Sequence, residues 1–112
     1  MPEQDPLSAG FYETNEAAIA QGSAGTTSIV TGVAGKKVYV TGYSITLDAA
    51  GTLKFTEVAG DLSGTFNLGG AAAPALTVES NHPIIWTSTA GEDLKITTGT
   101  GKANGFLTYY IV

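Results

Sequence analysis

The chain has no cysteine and no arginine among its 112 residues, and a single histidine, tryptophan and methionine. Each gap removes a class of function. Without cysteine there is no disulfide framework and no thiolate metal site. Arginine is the residue most used for bidentate contacts to phosphate and base edges, so no nucleic-acid partner is expected. No apolar run approaches the roughly 20 residues of a membrane-spanning helix, and no membrane partner is expected. The opening MPEQDPLSAG has neither the basic start nor the apolar core of a signal peptide, which makes folding in a cytoplasm the default expectation. Charge is sparse too: five lysines against ten carboxylates, a net charge of −5 that favours solubility.

What the chain does have is glycine, threonine, alanine and alternation. A turn-then-strand unit occurs twice, as VAGKKVYVT from Val33 and as TAGEDLKIT from Thr89. Each copy has Ala-Gly, two charged residues, then apolar positions two apart: Val38 and Val40, Leu94 and Ile96. Glycine supplies the positive φ of a tight turn, and the two-residue period buries one face of a strand. Strands are expected over residues 27–32, 38–47, 52–58, 65–68, 76–79, 84–88, 94–98 and 105–112. That makes about eight short strands and no amphipathic helix, so the fold class is all-β, an antiparallel β-sandwich of jelly-roll-like form. Residues 1–25 read as an extended N-terminal arm and lead-in, within which residues 17–20 are either a strand or one helical turn. Residues 26–112 read as the sandwich domain.

Two strands carry further information. In 38–47 the apolar parity changes, from Val38 and Val40 to Tyr43, Ile45 and Leu47, with Gly42 between the sets. A bulge at Gly42 would keep both sets inward, and a β-branched residue there should be resisted by an unusual φ. The last strand, GFLTYYIV, is apolar on both parities, which suggests that another subunit or the arm covers its outer side. Leu107, Tyr109 and Ile111 are therefore the candidate oligomer interface, and low charge with 43% hydrophobic residues fits a surface partly covered by other subunits.

Chemistry-bearing groups are few. His82 precedes Pro83 at a strand entrance with no second His or Cys, so a solvated or structural role is favoured over a base or metal ligand. Glu92 and Asp93 are adjacent, whereas a glycosidase needs carboxylates facing across a cleft; the first copy of the repeat has Lys36 and Lys37 there, which fits a solvated turn. GTGKANG lacks the spacing and the Ser or Thr of a phosphate loop, and Asn104-Gly105 reads as a turn. Trp86, Tyr109 and Tyr110 could stack on sugars, yet Trp86 lies in the apolar run IIWTS and is expected in the core. No catalytic residue, metal site or cofactor is expected.

Residues 26–112 resemble the small β-sandwich virion proteins of tailed bacteriophages. VAGKKVYVTGYSITLDAAGTLKF and PIIWTSTAGEDLKITTGTGKANGFLTYYIV carry the resemblance. In that group an AGK-type turn feeds a long strand, an Ala-Gly hairpin follows, and an AGE-x-L-x-I-T strand precedes an aromatic C-terminal strand opened by glycine. The resemblance implies a non-catalytic decoration (cement) protein on the capsid surface of a virion, made in the bacterial host cytoplasm. It would bridge subunits of the major capsid protein as a homo-oligomer, a trimer first and a dimer second. The arm departs most from the group; Pro6, Leu7, Phe11 and Tyr12 are its candidate partner contacts, since an extended arm can order on binding. A carbohydrate- or receptor-binding module on a phage fibre, baseplate or head spike is the alternative.

Overall fold

The structure, a computed structural model, describes residues 14–68, 75–80 and 82–112. Among them are ten strands and no helix: β1 (Asn15–Ala20), β2 (Thr26–Val30), β3 (Val38–Leu47), β4 (Gly51–Glu57), β5 (Gly60–Asp61), β6 (Phe66–Leu68), β7 (Ala75–Glu79), β8 (Ile85–Trp86), β9 (Leu94–Thr98) and β10 (Ala103–Ile111). They form two antiparallel sheets. Sheet A runs β1-β10-β3-β7, with β8 beside β7 on the same flank of β3; sheet B runs β2-β9-β4-β5, with β6 also on β4. Counting β5 with β6 and β7 with β8 gives eight strand positions. The first then pairs with the last, the second with the seventh, the third with the sixth and the fourth with the fifth. That nested wrap is the jelly-roll order, in two sheets of four positions each.

The inward faces follow the two-residue period. Val38, Val40, Ile45 and Leu107 of sheet A meet Leu53, Phe55, Leu94 and Ile96 of sheet B, all with no exposed surface. Each such side chain contributes about 1.5–3 kcal/mol of burial. The Tyr43 and Phe55 rings lie 5.0 Å apart across this interior, and burial raises the Tyr43 phenol above its ordinary pKa.

The parity change in β3 is a bulge. Gly42 faces Thr108 on β10, but the next pair is Val40 with Tyr109, leaving Thr41 as the extra residue. Both apolar sets consequently point inward. The reason for glycine differs from the expected one, because Gly42 is not among the residues with positive φ. Space requires it instead: a Cβ there would lie 2.8 Å from the Val78 carbonyl oxygen and 3.2 Å from Thr108 Oγ1.

The two repeat copies fold alike. Lys36 N–H donates to the Val33 carbonyl and Glu92 N–H to the Thr89 carbonyl, with Gly35 at φ 77° and Gly91 at φ 88°. Gly91 N–H also donates to the Lys36 carbonyl at 2.8 Å, so the two turns sit side by side.

Other expectations shift. Residues 15–20, part of the stretch read as lead-in, form β1 and pair with β10. The turn before the last strand centres on Gly101, at φ 83°, and not on Asn104-Gly105, which already belongs to β10. Gly105 is there because a Cβ would collide with the Ser44 carbonyl of β3. The arm contacts Pro6, Leu7, Phe11 and Tyr12 lie outside the described residues.

Candidate docking face

The two sheets present different outer surfaces. On sheet B, hydroxyls form a chain across three strands: Thr26 Oγ1 lies 2.9 Å from Thr97 Oγ1, which lies 3.0 Å from Thr56 Oγ1. Beside it, Lys54 pairs with Asp61 at 3.0 Å. These groups satisfy one another on a polar surface.

Sheet A is aromatic outside. The register sets Trp86 of β8 opposite Tyr39 of β3, and Tyr39 opposite Tyr110 of β10. Tyr39 stacks on Tyr110 with centroids 5.2 Å apart and planes 10° apart; Trp86 lies 6.4 Å from Tyr39 at 32°. Cross-strand aromatic pairs of this kind stabilise a sheet and present a rigid surface. Trp86 is 49% exposed and Tyr110 3%. Along β10, Thr108 Oγ1 meets Thr41 Oγ1 at 2.9 Å, and Phe106, 41% exposed, sits between Ala18 and Ser44.

This corrects two expectations. Trp86 is on the surface, because Ile85 and Thr87 on either side of it take the inward positions; the apolar look of IIWTS hid an ordinary alternation. Leu107 is fully buried in the core and presents nothing to a second subunit, while Tyr109 and Ile111 are half-buried and pack against that core. Both parities of β10 are apolar because one face fills the sandwich and the other carries the Tyr39 stack. Sequence alone does not single out Tyr39. The position of Tyr39 between inward Val38 and Val40 was the available signal.

The ionisable groups near the loops act as clips. Asp93 accepts from Gly32 N–H at 2.7 Å and from the Ser28 hydroxyl at 2.8 Å, and these bonds hold its carboxyl below the ordinary aspartate pKa. Glu92 accepts from Val58 N–H at 3.2 Å. Glu57, buried, accepts from the backbone N–H and hydroxyl of Ser88, tying β4 to the segment after β8. Gln21, also buried, spans four partners: its Oε1 accepts from Ala103 N–H and the Thr98 hydroxyl, and its Nε2 donates to the Gly25 carbonyl and to Thr27 Oγ1. His82 is exposed. Among the described residues no three His, Asp or Glu side chains gather as metal ligands would. These arrangements tie loops and strands together. No family profile, curated protein or solved structure matches the chain.

Proposed function

We propose that this chain is a non-catalytic structural protein that decorates and stabilises the capsid of a tailed bacteriophage, bridging major capsid protein subunits as a homo-oligomer on the virion surface. The observation that carries this reading is the outer face of sheet A, where Trp86, Tyr39 and Phe106 offer rigid aromatic surface, whereas the outer face of sheet B is a chain of threonine hydroxyls beside an ion pair. Aromatic anchors of this kind dominate protein interfaces. The resemblance of residues 26–112 to phage virion proteins supplies the partner. A protein that binds only the assembled junction stabilises the shell by mass action, and repetition over the lattice adds avidity. Residues Pro6, Leu7, Phe11 and Tyr12 provide a second contact in this scheme.

The test is co-sedimentation of the purified protein with expanded, undecorated phage heads. Saturable binding at a fixed ratio to shell subunits is expected, together with a higher temperature of head disruption. Trp86→Ala should remain folded and bind about tenfold or more weakly, as truncation of an interface tryptophan typically does. Absence of binding to heads overturns the reading. One observation favours a second reading, a carbohydrate- or receptor-binding module on a fibre, baseplate or head spike: exposed Trp86 beside Tyr39 is a surface on which a sugar ring can stack. Trp86-dependent binding to a glycan, without head binding, would select it.

A further inference from the structure

Each sheet of an open sandwich ends in strands with unpaired backbone groups, and folded proteins commonly blunt such edges. Three of the four edges here are blunted. On sheet B, β2 has a register irregularity between Ser28 and Val30, and the opposite flank is split into β5 and β6, of two and three residues. On sheet A, the flank beyond β3 is split into β7 and the two-residue β8, with Pro83 in the connection. The fourth edge is β1. It is six residues long, pairs with β10 in unbroken register, and contains neither proline, lysine nor bulge.

The direction of its free groups can be read from its neighbour. Gln21 N–H, just past β1, donates to the Ala103 carbonyl of β10 at 3.0 Å. Antiparallel pairs alternate, so Asn15, Ala17 and Ile19 turn their backbone groups to β10, whereas Glu16, Ala18 and Ala20 turn theirs away. Glu16, Ala18 and Ala20 are exposed, and no strand among the described residues covers that side.

We propose that this edge is where two copies of the chain join, β1 against β1 in antiparallel register about a two-fold axis at Ala18. In that register Ala18 faces Ala18 of the second copy, Ala17 faces Ile19, and Glu16 faces Ala20. No charge meets a like charge, and Ala17 and Ile19 keep their inward direction. A register centred on Glu16 would set two carboxylates opposite each other, which is unfavourable. The contact is isologous and closes at two chains. It joins the four strand positions of each sheet A into one continuous sheet and leaves Trp86, at the far flank of each copy, uncovered. The inference goes beyond the decoration reading and does not depend on it.

The experiment is the solution mass of the full chain by light scattering across a dilution series, for the parent, Ala18→Pro and Ala18→Lys. Proline at this position removes an N–H that faces away from β10, and edge positions of that kind tolerate it. Lysine leaves the backbone unaltered but brings two like charges together at the axis, so one variant serves if the other fails to fold. A parent mass of two chains, falling to one chain in the folded variants, is the expected result. A parent that stays monomeric throughout overturns the proposal, as does a three-chain mass or an oligomer that both variants leave intact. Head binding is not read in this experiment, so its outcome is separate from that of the decoration test.

Discussion

Replacing Gly42 by valine sets two rules against each other. Intrinsic strand preference favours valine over glycine by up to about 1 kcal/mol. Space opposes it. The first added carbon would approach the Val78 carbonyl oxygen to 2.8 Å and Thr108 Oγ1 to 3.2 Å, and the nearer atom is backbone that cannot swing aside. Overpacking of this kind costs about 1–3 kcal/mol, and moving β7 strains its ladder with β3 by about another 1 kcal/mol. Once the strand preference is set against these costs, a net loss of about 1–3 kcal/mol follows, or roughly 4–12 °C in Tm at about 4 °C per kcal/mol for a domain of this size. Thermal melts by circular dichroism on the parent, Gly42→Ala and Gly42→Val should give a graded decline. Gly22, which has nothing within 4 Å of an added Cβ, is the control; Gly22→Ala should stay within about 0.5 kcal/mol. An unchanged or raised Tm for Gly42→Val would refute the packing argument, because it would mean that the space beside the bulge is open.

Two further substitutions test the loop clips. Gln21→Leu leaves Ala103 N–H and the Thr98 hydroxyl without their buried acceptor, and should cost about 2–4 kcal/mol in urea unfolding, far more than an exposed change. Asp93 has a depressed folded pKa, so its contribution is present above the ordinary aspartate pKa of about 4 and is lost as pH falls through the folded value. Asp93→Asn should therefore melt lower than the parent at neutral pH, and the gap should close in acid; a gap that persists undiminished at low pH would exclude a role for the carboxylate charge.

The sequence carried the architecture where periodicity was strong. Alternation in residues 38–47 marked a long strand, and the parity change at Gly42 marked the bulge, because a one-residue slip would otherwise turn half of the apolar set to solvent. The twin Ala-Gly turns were legible for the same local reason. Short strands were harder. In β8 only two residues pair, too few for alternation to outweigh the apolar run around Trp86, so the ring reads as core. β1 was ambiguous because Ala17, Ala18 and Ala20 suit a helix as well as a strand, and only pairing with β10 decides between them. Leu107 reads as an interface position without the register that puts it opposite Tyr43 in the core.

The nested order of the strands has a consequence for how the chain comes into being. β1 is complete at residue 20, yet its pairing partner, β10, begins only at residue 103. At about 5–20 residues per second, the nascent chain carries β1 without its mate for roughly 4–17 s. Such long sequence separation slows folding and exposes early segments to misassociation. The composition NEAAIA suits that wait: with one strongly apolar residue and a carboxylate, β1 lacks the uncharged, strongly hydrophobic β-forming run of an aggregation-prone segment. It becomes a straight edge only after β10 has arrived to pair with it, so the β1-to-β1 contact proposed above would form only between copies that have finished folding.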